Sequence, residues 1–149
     1  MKRVYSLEDV CIGCYLCEVA CITEHSISKE PIKAFLHEKE RPISRCTVEE
    51  RHGGAVSFST TCRHCDEPAC LQACISGAIQ KGDDGRVTMD TEKCVGCWSC
   101  VMACPFGSVQ RNTAKKRANK CDLCPDRQRP ACVDACPNRA LVYEKGEQQ

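Results

Sequence analysis

Cys94-Val-Gly-Cys97-Trp-Ser-Cys100-Val-Met-Ala-Cys104-Pro105 is the stretch on which the reading of this chain turns. Gaps of two, two and three residues separate its four cysteines. The same design stands near the start as Cys11-Ile-Gly-Cys14-Tyr-Leu-Cys17-Glu-Val-Ala-Cys21, with Ile22 in the place of the proline. Two further copies carry a longer middle gap. One is Cys62-Arg-His-Cys65, four residues, then Cys70-Leu-Gln-Ala-Cys74; the other is Cys121-Asp-Leu-Cys124, seven residues, then Cys132-Val-Asp-Ala-Cys136-Pro137. Four blocks thus absorb sixteen of the seventeen cysteines and leave Cys46 alone.

Thiolates are soft ligands that suit zinc or iron–sulfur centres. A structural zinc site joins two cysteine pairs across a substantial spacer, whereas the first and third blocks pack four cysteines into eleven residues. Three close cysteines grip three corners of one [4Fe–4S] cubane, and a fourth, three residues on, points to a neighbouring cubane. The third block, with its trailing proline, matches the bacterial ferredoxin run. The expectation is four [4Fe–4S] clusters on sixteen cysteines.

Composition supports a metal-built interior. Cysteine is far above its usual share, and only seven of 149 residues are aromatic. Disulfides would also fit a high cysteine content, but they belong to secreted chains with a signal peptide. The N-terminus has no apolar run before Cys11, and the cysteine count is odd. No stretch approaches the roughly 20 apolar residues of a membrane span. The expected compartment is the reducing cytoplasm. An oxidised cubane with four thiolates sums to −2, so four such sites take the formal charge from +1 to about −7. An acidic holoprotein without interleaved aromatic residues is no nucleic-acid binder.

Between the blocks the signals change. Leu16–Cys21, Ala69–Cys74, Ser99–Cys104 and Ala131–Cys136 are expected to be short helices, with Pro68 and Pro130 at the first helical position of two of them. Pro105 and Pro137 are expected to stop the other ends. Gly13 and Gly96, between the first two cysteines of their blocks, permit the positive φ that curls a backbone around a cluster. Ala78–Gln80 and Val87–Met89 flank Gly82-Asp83-Asp84-Gly85 as a hairpin, and Val4–Ser6 pairs with Ala140–Tyr143. Ile43–Val48 and Ala55–Ser59, around Gly53-Gly54, form a third pair within the long insertion at 22–61.

The four blocks, the Cys-Arg-His-Cys-Asp-Glu-Pro-Ala-Cys run at 62–70, the Asp-Gly-Arg-Val turn and the Pro-Ala-Cys-Val-Asp-Ala-Cys-Pro run at 130–137 resemble a known family. It comprises the four-cluster electron-transfer subunits related to the iron–sulfur subunit of dimethyl sulfoxide reductase. Similar subunits serve formate dehydrogenases, hydrogenase complexes, carbon monoxide dehydrogenase and tungsten aldehyde oxidoreductases. The resemblance implies an α+β fold, a tandem of two bacterial-ferredoxin-like modules with short helices and small antiparallel hairpins. The whole chain, 1–149, would be one polyferredoxin unit. Residues 1–21 plus 105–149 would form one sub-module and 62–104 the other, with 22–61 inserted. The implied ligand sets are Cys11, Cys14, Cys17 and Cys136; Cys121, Cys124, Cys132 and Cys21; Cys62, Cys65, Cys70 and Cys104; and Cys94, Cys97, Cys100 and Cys74.

Residues outside these sets have ordinary roles by default. Trp98 is expected to pack over a cluster and exclude water. His25 and His64 are expected to be solvated, a hydrogen bond to sulfur being the sharper alternative. Cys46 is expected to be a small, partly buried thiol on a strand that packs like a hydrophobe. Arg111, Lys115, Lys116, Arg117 and Lys120, continued by Arg127 and Arg129, form a solvated basic connector.

No nucleophile–base arrangement or phosphate-binding loop appears, so the chain alone is expected to catalyse nothing beyond electron exchange. Its expected role is an electron-transfer subunit between a catalytic oxidoreductase subunit and a ferredoxin or flavoprotein, in a hetero-oligomer. A free polyferredoxin, a filament-forming linker and a redox-sensing regulator are the rival readings. Anaerobically prepared protein is expected to contain about sixteen iron and about sixteen acid-labile sulfide per chain. Stoichiometric zinc in their place would overturn the ligand chemistry.

Overall fold

The computed structural model describes residues 1–40, 42–51, 53 and 56–145. The described residues form four two-stranded antiparallel ribbons, five short α-helices and one 3₁₀ turn at Glu8–Val10. β1 (Lys2–Ser6) pairs with β8 (Leu141–Lys145), β2 (Thr47–Arg51) with β3 (Val56–Thr60), β4 (Ile79–Lys81) with β5 (Val87–Met89), and β6 (Gln110–Asn112) with β7 (Arg117–Asn119). Three of these ribbons stand where strand-pairing signals occur in the sequence, displaced by a residue or more at most ends. Residue 54 of the expected Gly53-Gly54 turn and residue 55, the expected start of the second strand, lie outside the described residues. The β6–β7 hairpin was not expected: Arg111 and Arg117 stand on strands, not on a connector.

The helices are α1 (Leu16–Glu24), α2 (Pro31–Leu36), α3 (Ala69–Gln72), α4 (Ser99–Ala103) and α5 (Ala131–Asp134). α1 packs against α5, and α3 against α4. Pro68 and Pro130 are N-cap residues rather than first-turn residues. Helix length follows from two local devices after the last cysteine of each block. The backbone three residues beyond that cysteine turns left-handed at Gly77, Gly107 and Arg139, and its N–H bonds back to the carbonyl of Cys74, Cys104 or Cys136. Gly77 permits this turn after the second block, Pro105 and Gly107 after the third, and Pro137 precedes it in the fourth. The first block has neither device, and α1 runs on through Ile22 to Glu24.

The interior is small and sulfur-rich. One buried cluster joins Val4, Val48, Leu123, Val133 and Leu141 to Cys17, Cys21, Cys46 and Cys132. The other joins Ile79, Val87, Val109 and Ala118 to Cys70 and Cys100. The inserted segment is sewn into the body. Gln110 donates to the Thr47 hydroxyl at 2.8 Å, Asn119 to the Ile43 carbonyl at 3.1 Å, and the Ser59 N–H to the Ser6 hydroxyl at 3.2 Å. Helix α2, which the sequence signals did not reveal, begins at Pro31 and leaves Ile32 and Leu36 exposed.

Gly96 has φ +71, and a Cβ there would overlap the Lys116 carbonyl oxygen. Gly77 also has positive φ, but no heavy atom lies within 4 Å of its Cβ position. Gly77→Ala is therefore expected to cost about 1–2 kcal/mol from backbone strain alone. Gly96→Ala should cost more than about 3 kcal/mol or prevent folding. Thermal loss of the visible absorbance of holoprotein would rank the two, and equal midpoints would refute the steric argument.

Candidate cluster sites

Each block repeats one backbone event. The residue before the second cysteine lies in the left-handed region: Gly13 at φ 63, His64 at 44, Gly96 at 71 and Leu123 at 63. Glycine makes this free at two positions, whereas His64 and Leu123 bear the strain of a side chain there. The turn brings a backbone N–H onto sulfur. His64 N–H reaches Cys62 Sγ at 3.5 Å and Leu123 N–H reaches Cys121 Sγ at 3.4 Å. Other amides do the same: Arg45 to Cys21 at 3.2 Å, Ala118 to Cys94 at 3.4 Å and Ala140 to Cys136 at 3.2 Å. Donors of this kind stabilise negative sulfur.

The sulfurs converge in sets. Cys11, Cys14, Cys17 and Cys136 line one largely apolar cavity, open in part to solvent. Cys62, Cys65, Cys70 and Cys104 line a second. Cys74, Cys94, Cys97 and Cys100 line a third. Cys21 and Cys132 share a buried cluster against which Cys121 packs. Cys124 is pushed up to about 11 by burial, with the negative charge of Asp122 adding to the effect. Soft donors, apolar walls and amides aimed at sulfur fit a [4Fe–4S] group better than a hydrated cation.

Aromatic side chains flank the three cavities. Tyr15 lies on the first and is held by its hydroxyl to Glu50 at 2.8 Å. Phe106 lies on the second beneath the Arg63 guanidinium, and Trp98 on the third beneath Arg111, with 4.7 and 4.9 Å to the ring centres. Trp98 stands where the shielding role expected of it requires.

Both histidines depart from the solvated state. His64 is buried to 1 % exposure, and burial, aided by the Lys120 charge, pulls it down to about 3. His25 is half-buried between Cys21 and Asp122. Burial opposes its charge, but the Asp122 carboxylate and Cys21 outweigh this and carry it up to about 9. Asp122 binds His25 at 3.1 Å and Arg45 at 2.5 Å, and accepts the Cys124 N–H at 3.1 Å. Burial opposes its ionisation, yet His25 and Arg45 hold it far below the usual carboxylate range.

Lys120, expected in a solvated connector, is 3 % exposed and donates to the carbonyls of Val87 and Cys121. Cys46 precedes β2 and is fully buried, not partly so. Its contacts with Cys132, Cys17 and Cys21 keep its proton on, far above the ordinary thiol range.

A 4Fe–4S dicluster domain profile matches residues 54–145, and a 4Fe–4S binding domain profile matches 8–22. The protein is 38% identical over 139 residues to the B subunit of the anaerobic dimethyl sulfoxide reductase of Escherichia coli K12, covering 89% of its own length and 68% of that subunit. It is 37% identical to YnfG, a probable anaerobic dimethyl sulfoxide reductase subunit of the same strain, with the same coverage. It is 38% identical over 148 residues to the electron transport protein HydN of that strain, covering 89% of its own length and 81% of the relative.

Removing Asp122 strands two cationic partners beside sulfur, so Asp122→Ala is expected to cost about 2 kcal/mol, less than a fully buried pair would. Arg127, which pairs with Glu24 and Asp134 at the surface, should cost less than about 1 kcal/mol as Arg127→Ala. The midpoint of thermal bleaching of holoprotein should fall clearly for the first substitution and barely for the second; the reverse order would refute this account.

Proposed function

This chain belongs to the 4Fe–4S dicluster domain family, and from that membership we propose that it is the electron-transfer subunit of a larger oxidoreductase. Its [4Fe–4S] cofactors would be held in four sets. These are Cys11, Cys14, Cys17 and Cys136; Cys121, Cys124, Cys132 and Cys21; Cys62, Cys65, Cys70 and Cys104; and Cys94, Cys97, Cys100 and Cys74. The two ferredoxin-like sub-modules would be 1–21 with 105–149, and 62–104. When bound, each cubane supplies a one-electron couple whose potential its protein surroundings set.

The chain's own residues do the rest. Thiolates bind, amides and the His25–Asp122–Arg45 group support the ligating sulfurs, and Tyr15, Phe106 and Trp98 keep water off. No helix among the described residues is long and apolar enough to cross a membrane.

One observation carries the relay reading. Among the sixteen cysteines only Cys14 and Cys97 are exposed, and they line different cavities. Exposed apolar side chains share these cavity walls: Ile12 and Tyr15 with Cys14, Val95 with Cys97. Apolar patches around a redox edge suit short-lived docking. Two such edges support entry at one site and exit at the other. The partners would be a catalytic metal-dependent dehydrogenase or reductase subunit and a ferredoxin or flavoprotein, in the cytoplasm.

Anaerobic capture from native cells is expected to retrieve a large catalytic subunit in stoichiometric amount; a monodisperse monomer would sink the subunit reading. Val95→Glu and Ile12→Glu should each slow electron exchange with a different partner by about tenfold, equivalent to about 1.4 kcal/mol. Slowing of the same partner by both would refute the two-edge arrangement.

A further inference from the structure

The residue before the second cysteine occupies the same left-handed position in all four blocks, but its side chain differs. Gly13, Gly96 and Leu123 offer no side-chain donor there; His64 does. Its imidazole forms part of the wall of the cavity lined by Cys62, Cys65, Cys70 and Cys104. Nδ1 accepts the Val87 backbone N–H at 3.0 Å. A ring nitrogen that accepts a hydrogen bond carries no proton, so the hydrogen of this imidazole sits on Nε2. Nε2 is buried, and no described protein atom, cysteine sulfur included, accepts from it.

A buried N–H normally finds an acceptor. Val87 and the Cys62–His64 turn hold the ring on one side, and the cavity is the space it borders on another. A backbone that tolerates φ 44 at a bulky residue, rather than using glycine as two sister blocks do, keeps the imidazole at this wall.

We propose that His64 Nε2–H donates a hydrogen bond to an inorganic sulfide of the cluster held by Cys62, Cys65, Cys70 and Cys104, and thereby raises the reduction potential of that one cluster. The inference rests on the ligand sets proposed above. Reduction adds negative charge that spreads onto sulfur, so an N–H donor stabilises the reduced form more than the oxidised form. The bond distinguishes one of the four sites, because the equivalent positions of the others lack a side-chain donor.

The test is an anaerobic redox titration of holoprotein followed by electron paramagnetic resonance, with His64→Phe, which removes the donor, and His64→Gln, which keeps an amide donor. With iron near sixteen per chain in all three proteins, one midpoint is expected to fall in His64→Phe. The shift should change the reduced-to-oxidised ratio at least about tenfold at fixed potential, which is about 59 mV for a one-electron couple. His64→Gln should recover part of it, and the other three midpoints should hold. Unchanged midpoints, or an equal fall at all four clusters, would overturn the proposal.

Should His64→Phe lose a cluster, pulsed resonance on reduced wild-type protein labelled with ¹⁵N-histidine decides. A nitrogen coupling that disappears in His64→Gln supports the bond, and its absence in wild type refutes it. Wild-type protein without iron refutes the ligand sets themselves, a failure distinct from loss of the hydrogen bond.

Discussion

Four sulfurs carried by separate stretches of backbone must face one small apolar space, and nearly everything else in this structure serves that convergence. The left-handed residue before each second cysteine turns the chain so that sulfur and amide meet on the same side. The helices stay short because the residues after them must turn back under the next sulfur, and only α1, lacking proline and glycine there, continues. The apolar residues do not form a separate core: Val4 and Leu141, or Ile79 and Val87, fill in around cysteines rather than the reverse.

Such an interior has an electrostatic character that an aliphatic core lacks. Lys120 lies buried between the Val87 carbonyl of one ribbon and the Cys121 carbonyl, with no carboxylate partner among the described residues. An ammonium so placed is costly unless negative charge lies near, and sixteen thiolates with their iron supply it in the proposed holoprotein. Near Cys21 and Cys124 the Asp122 carboxylate is itself tied to the cationic Arg45 and His25.

What was legible in the sequence was whatever depended on local spacing. The cysteine blocks, three ribbons and the starts of the short helices follow from gaps, glycines and prolines within a few residues of one another. What was not legible depended on contacts at long range. Nothing adjacent to His64 indicates that Val87 will claim its Nδ1 twenty-three residues away. Nothing beside Lys120 reveals that the basic run turns inward at its last member. Leu123 adopts a backbone conformation that only comparison with its sister positions would have suggested, since leucine itself argues against it. The β6–β7 ribbon was hidden because charged residues alternate poorly, although Asn112 caps its turn by accepting the Lys115 N–H.

Strands β1 and β8 join residues 2–6 to residues 141–145, and α1 lies against α5. On the ribosome, the first of these elements emerges long before its partner. The stretch from 62 to 104, by contrast, emerges with α3 and α4 and the β4–β5 hairpin all in hand. Under the proposed ligand sets the middle stretch could therefore complete two sites while translation continues, whereas the two terminal sites could not close until the last block has emerged.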